Sequence, residues 1–345
     1  MRGLLLLLSV GVLSSLAAPA GAQDTPQNRQ ACGGGEPAYS LAQLVAGCTA
    51  VINAGTATTD EVVIAYNNRG TAYQDQKQYA RAIVDYDQVI RLEPDDAGAF
   101  YSRDNAYYDQ KQYARAIADY SQVIRLKPDF AAAFYNRGLA YHDQQQYARA
   151  IADYDQAIRL EPDHAHVFYN RGNAYKGQNQ YARAIADYDQ AIRLKPDYAS
   201  AFFNRGLAYQ DQNQYARAIA DYDQAIRLKP DDASAFNNRG AAYRSQKQYA
   251  EAIADFDQAI RLKPDYALAF DNRGIAYFLE GKYSRAIADY DQALRLAGNR
   301  SYYYYDRGVA ELRLGLSAKG HADIARAIKA NPNVAAERAE RGVKP

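Results

Sequence analysis

Cysteine and histidine are scarce in this chain, two and four copies among 345 residues, which leaves too few side chains for a cysteine-rich scaffold or a large metal centre. An excess of charge is missing as well. Lys and Arg number 41 against 40 Asp and Glu, so no global field draws in nucleic acid or an anionic membrane, and RNA reading by a basic groove is disfavoured. No phosphate loop, nucleophile motif or paired-acid constellation stands apart from repeated rows of Asp, which surface pairs such as Asp155 with Arg159 account for. The pair His164 and His166 beside Asp163 has no firm third ligand for a metal. These absences predict no enzyme, no metal and no cofactor.

Long apolar runs are also missing, with one exception. Arg2, the apolar stretch Leu4 to Leu16, and Ala20-Gly21-Ala22 before polar Gln23 form the charged, apolar and small-residue pattern of a secretory signal peptide over residues 1–22. An uncleaved anchor is the alternative, but the run falls short of the ~20 residues that a spanning helix needs. The mature chain is expected to be exported, with no membrane span after cleavage. In an oxidising compartment the pair Cys32 and Cys48 suggests one structural disulfide, contributing on the order of 3 kcal/mol; two free thiols are the alternative. Residues 23–39 are polar and rich in Gly and Pro, and read as a flexible lead-in apart from the Cys32 tether. Residues 40–62 read as a lone capping helix and linker, because Leu44, Cys48, Val51 and Ile52 share one helical face.

What is present in abundance is a period. Arg69, Arg103, Arg137, Arg171, Arg205, Arg239, Arg273 and Arg307 are each 34 residues apart (103 − 69 = 34, and so on), which means a repeat array. Eight units follow, 63–96, 97–130, 131–164, 165–198, 199–232, 233–266, 267–300 and 301–334, with a tail over 335–345. Apolar residues recur every three or four positions, a polar break splits each unit into two helices, and Pro-Asp pairs such as Pro162-Asp163 stop the second helix.

In the third unit Phe134, Arg137, Gly138, Tyr141, Ala150, Tyr154 and Pro162 fall at the spacings of the tetratricopeptide repeat, which residues 63–334 resemble. The resemblance implies an all-α, right-handed superhelical solenoid of antiparallel helix pairs. Its first helices would line a concave groove for a peptide or protein, and the exported bacterial type would place the chain in the periplasm, with secretion as the alternative. The function implied is a non-enzymatic protein- or peptide-binding scaffold. A structural or self-assembling component of the cell envelope is the rival reading, so self-association stays open.

Three departures from the family pattern carry information. Arg stands where Leu is usual, and Asp85, Asp119, Asp153, Asp187, Asp221, Asp255, Asp289 and Asp323 recur at the matching second-helix position. A charge in a packing layer needs a partner, so Arg69 is expected to pair with Asp85, and so on through Arg307 with Asp323. Asp104 replaces the small Gly of the second unit and should loosen that hairpin. Lys77, Lys111, Gln145 and Lys247 replace the turn glycine that Gly281 and Gly315 keep, which puts those turns in doubt.

By resemblance, the groove row is Asn68, Asn136, Asn170, Asn204, Asn238 and Asn272, with Ser102 and Asp306 as exceptions. An Asn amide has one acceptor and two donors, and a spaced row of them holds a peptide backbone whatever its side chains. The competing reading is that Asn satisfies groups in the neighbouring helix. Beside the row lie Tyr101, Tyr135, Tyr169, Phe203 and Tyr305, also assigned to the peptide-binding groove. Two turns on, Tyr108, His142, Lys176, Gln210, Arg244 and Phe278 vary from unit to unit, which makes them the candidates for specificity.

Overall fold

The computed structural model describes residues 25–34 and 39–344, so the expected signal peptide lies outside the described residues. These residues are all-α and divide into two compact units, residues 1–144 and 145–345. The first holds α1 (Pro26–Gly33), α2 (Leu41–Asn53), α3 (Thr59–Asp75), α4 (Tyr79–Leu92), α5 (Ala97–Asp109), α6 (Tyr113–Leu126) and α7 (Ala131–Asp143). The second begins with α8 (Tyr147–Leu160), α9 (Ala165–Gly177), α10 (Tyr181–Leu194), α11 (Ala199–Asp211), α12 (Tyr215–Leu228) and α13 (Ala233–Ser245). It continues with α14 (Tyr249–Leu262), α15 (Ala267–Leu279), α16 (Tyr283–Ala297), α17 (Ser301–Arg313), α18 (Ser317–Ala330) and α19 (Val334–Ala339). Among the described residues no helix is long and apolar enough to cross a membrane.

Each hairpin follows from its unit of sequence. In the second helix, Tyr181, Ala184, Ile185, Tyr188, Ala191 and Ile192 recur at helical spacing, and Ala184, Tyr188 and Ala191 are fully buried. Lys195 before Pro196 takes an extended conformation (φ −135°, ψ 88°), which ends the helix. The small residue of the first helix lets the two helices close on an aromatic ring. A Cβ added at Gly172 would meet Tyr188 Cε1 at 2.8 Å, and one at Gly274 would meet Tyr290 Cε1 at 2.7 Å. The aromatic period is therefore core packing, and Tyr86, Tyr120, Tyr154, Tyr188, Tyr222 and Tyr290 are all fully buried.

The doubtful turns keep their shape. Lys77, Lys111, Gln145 and Lys247 adopt left-handed backbone with φ between 58° and 62°, the same region as Gly281 at 76°. The Gln78 amide donates to the Tyr73 carbonyl and that of Lys77 to Gln74, as Lys282 does to Tyr277 and Gly281 to Phe278. The hydrogen bonds that close the helix outweigh the steric cost of a side chain at positive φ.

Two expectations for the N-terminal segment change. Part of the region read as a flexible lead-in forms α1, which starts on Pro26 behind a Thr25 cap that accepts from the Asn28 amide. The helix α2 is not alone: α1 packs against it and against α3, and Cys32 and Cys48 form a disulfide. Across α1 and α2 a Cβ on Gly47 would meet Asn28 O at 2.6 Å, so backbones approach there as they do in the repeats.

Candidate functional site

Within each unit successive first helices touch, α3 with α5 in the first and α9, α11, α13, α15 and α17 in sequence in the second, while second helices are spaced further apart. The first helices therefore line the tighter, inner face. Their side chains at the Arg position point into the layer between hairpins. Arg205 donates from Nε to Asp221 Oδ2 at 2.8 Å and from Nη2 to Asp221 Oδ1 at 2.6 Å. The same two-pronged bond joins Arg69 to Asp85, Arg103 to Asp119, Arg171 to Asp187, Arg239 to Asp255 and Arg273 to Asp289. Arg307 reaches Asp323 through Nε.

The remaining nitrogen goes backwards. Arg171 Nη1 donates to Asp155 at 2.6 Å, and Arg103, Arg239, Arg273 and Arg307 treat Asp87, Asp223, Asp257 and Asp291 alike. Asp155 is therefore a ligand of the arginine in the next hairpin, not the partner of Arg159 that helix spacing suggests. Each such Arg ties its own second helix to the one before it. Aromatic faces complete the seat, as where Phe168 and Tyr175 flank Arg171 at 5.5 and 6.0 Å.

The asparagine row is engaged with its neighbours. Asn136 Nδ2 donates to Tyr101 Oη (3.0 Å) and Asn105 Oδ1 (3.3 Å), and Asn204 Nδ2 to Tyr169 Oη (2.9 Å) and Asn173 Oδ1 (2.8 Å). Asn238 instead bonds the Ser234 carbonyl of its own helix, and Asn68 the Cys32 carbonyl of α1. Among the described residues nothing donates to Oδ1 of Asn136 or Asn204. Asn170 is half-buried, as is Tyr135 in the first unit. Tyr101, Tyr169 and Phe203 lean on the buried Tyr120, Tyr188 and Tyr222, with ring centroids 6.4, 6.0 and 5.7 Å apart. Tyr305 differs from the expectation: it is buried in a cluster with Val309, Val334 and Val343 and so is covered by the segment that follows α18.

The varied positions diverge in environment. Tyr108 donates to Asp143 at 2.7 Å, and burial together with that carboxylate pushes its phenol upward. His142 is half-buried beside Asp143, Gln210 accepts from Tyr222, and burial lowers the Lys176 ammonium. Arg244 donates to Asn272 at 3.1 Å, and burial, aided by the Arg341 cation, lowers it to about 10. Phe278 is buried against Tyr283. His164 lies beside Glu161 and His166 bonds Tyr198, so the two rings serve different neighbours.

Sequence reasoning missed one feature of this face. Asp271 and Asp306, both fully buried, grip Arg338 of α19. The signal was present as an acid in each of two rows: Asp271 stands where five other units carry Tyr or Phe and two carry Asn (Asn67 and Asn237), and Asp306 where the others carry Asn or, once, Ser102.

Comparison with known proteins agrees with this geometry. Profiles described as TPR repeat match residues 105–145, 138–178 and 172–213, and profiles described as tetratricopeptide repeat match 63–96, 203–267 and 267–300. The chain belongs to the tetratricopeptide-repeat family. Among solved structures it is similar to the C-terminal part of a TPR repeat-containing protein from Cytophaga hutchinsonii, at 17% identity and TM-score 0.59, over 68% of this chain and 96% of that one. It is also similar to a tetratricopeptide repeat protein from Parabacteroides merdae, at 20% identity and TM-score 0.56, over 68% and 92% of the two chains. A third, PilW, a type IV pilus biogenesis factor, gives 21% identity and TM-score 0.53 over 58% and 93%. No curated protein matches the chain.

Proposed function

We propose that this chain is an exported, non-enzymatic scaffold that binds an extended peptide or protein segment along the inner face of its first helices. The supporting observation is the anchored asparagine. Tyr169 and Asn173 hold the Asn204 amide nitrogen, as Tyr101 and Asn105 hold that of Asn136, so each Oδ1 is fixed in orientation before any ligand arrives. A backbone N–H is the donor that such a row meets at any peptide sequence, and the half-buried rings of Tyr101, Tyr169 and Phe203 offer apolar contact beside it. The Cys32–Cys48 disulfide fits an oxidising compartment, and the periplasm is the location we infer.

A photoreactive residue placed at Asn204 tests the reading in cells against the same residue at Gln224, an exposed position on α12. Capture of a defined protein from Asn204 but not from Gln224 is expected. Equal capture from both positions would overturn the assignment.

A further inference from the structure

The residues after α18 keep the 34-residue register, with Arg341 and Gly342 standing 34 after Arg307 and Gly308, but Arg338 takes a place that is aromatic in all eight units. They turn at Asn331-Pro332-Asn333 and form α19, which packs against α17 and α18, while Arg338 and Arg341 reach Asp271 on α15. Arg338, itself buried, donates from Nη2 to Asp271 Oδ1 at 3.0 Å and from Nε to Asp306 Oδ1 at 2.9 Å, with Nη2 also on Asp306 Oδ2. Its guanidinium lies over the Tyr302 ring at 5.3 Å. One turn on, Arg341 donates to Asp271 Oδ2 and to Asn272 Oδ1, both at 3.3 Å. Val334 and Val343 fill apolar seats on either side.

Three facts set this arrangement apart from a simple cap. First, an apolar contact would close the array at lower cost, since burying a carboxylate–guanidinium cluster loses hydration that the pairing barely repays. Second, these two are the acids of their rows, in which the other units carry aromatic residues, Asn or Ser, and Arg338 replaces an aromatic present in all eight units, so acids and arginine change together. Third, α19 has six residues and no side-chain cap at its N-terminus, too short to be helical without the surface it lies on.

We propose that Asp271, Asp306 and Asn272 form a guanidinium-recognition site for a partner protein segment carrying two arginines three residues apart, and that the chain's own Arg338 and Arg341 occupy it until that segment displaces them. This deepens the peptide-binding reading of the inner face and rests on it. The planar fork of arginine matches the two carboxylates, which a lysine ammonium reaches only as a point charge. The tail reduces the effective affinity for a partner, so only a segment able to outcompete a tethered ligand enters.

The test uses the full-length protein and a fluorescent peptide of residues 331–344 as probe. The variant Arg338→Ala/Arg341→Ala, whose own tail is weakened, is expected to bind the peptide at least ~10-fold more tightly than the unaltered chain. Adding Asp271→Asn and Asp306→Asn should abolish that binding, and a peptide carrying Arg338→Lys and Arg341→Lys should bind at least ~10-fold more weakly. Equal binding to the unaltered and tail-weakened chains, or equal binding of the arginine and lysine peptides, would overturn the proposal. Hydrogen exchange on the unaltered chain guards against a folding defect in the variants. Amides of residues 334–344 are expected to exchange while α15 and α17 stay protected, and exchange of the tail only together with α17 would make it a permanent cap and defeat the idea. Capture from Asn204 is independent of this site: if it succeeds while the peptide fails, the guanidinium site falls and the groove reading stands.

Discussion

Arg171 holds Asp187 with two parallel hydrogen bonds, Nε to Oδ2 at 2.8 Å and Nη2 to Oδ1 at 2.6 Å, inside the hairpin formed by α9 and α10. Asp187 is nearly buried, and desolvation already raises its carboxyl above the ordinary range despite the arginine. Replacing Arg171 with Leu leaves that carboxylate and the half-exposed Asp155 without their cation. The expected loss is about 3 kcal/mol, read as a lower urea midpoint, and Arg171→Leu/Asp187→Leu should recover most of it. A single variant as stable as the unaltered chain would show that the pair does not fasten the hairpin.

That pairing was legible in the sequence because Arg and Asp recur with one period, and sixteen residues separate them in every unit. The backward bond was not. Asp155 sits four residues from Arg159, and local helix spacing offers a ready partner, whereas its true partner Arg171 is in the next first helix. The helix α1 was hidden by composition: Pro26 opens it and Gly33 and Gly34 close it, and its stability comes from packing and a disulfide and not from a hydrophobic stripe. The role of Asp271 and Asp306 was hidden for a different reason. Their partner Arg338 stands 34 residues after Tyr304, at a place that is aromatic in all eight units, so the arginine period points to Arg341 and not to it.

Left-handed backbone at Lys77, Lys111 and Lys247 carries a cost that glycine does not. Each change to Gly should stabilise the chain by about 0.5–1 kcal/mol, net of the greater freedom that Gly has when unfolded. Thermal denaturation of Lys111→Gly and Lys247→Gly, singly and together, checks this. The two sites lie in different units of the structure, so their effects should add, and destabilisation by either would mean that the lysine side chain contributes a contact worth more than the strain.

Asp104 is fully buried, and among the described residues neither of its carboxyl oxygens has a hydrogen-bond partner. Burial, with help from the Asp119 charge, pushes its carboxyl up to about 10. At neutral pH the folded chain therefore holds a proton there that the unfolded chain releases above its ordinary value of 3.8. The sign follows: the group weakens the fold progressively as pH rises from about 4 towards about 10, by on the order of 1 kcal/mol per pH unit at most. Asp104→Gly restores the residue that other units carry and should raise stability by at least about 2 kcal/mol at pH 7. Urea titrations at pH 5 and pH 8 should show the gap between variant and unaltered chain widening with pH. A constant gap would place the cost of Asp104 in its volume and not in its charge.

The disulfide between Cys32 and Cys48 closes a loop of 16 residues and fixes α1 over the start of the array, where the Cys32 carbonyl accepts from Asn68 Nδ2 at 2.9 Å. In a repeat protein each element contacts mainly its neighbours, so loss of this staple should act locally. Reduction, or Cys32→Ser/Cys48→Ser, is expected to cost about 3 kcal/mol at this end. Hydrogen exchange should then rise in residues 26–33 and in α2, while α9 to α18 keep their protection. The same change frees Asn68, which the disulfide-bonded helix otherwise occupies, and so lengthens the open asparagine row by one position. A photoreactive residue at Asn136, on the neighbouring part of that row in the same unit, should capture its partner at least as well in the reduced chain as in the oxidised one. If reduction instead unprotects the whole of the first unit and abolishes capture, α1 and its disulfide are a foundation of that unit and not a local cover.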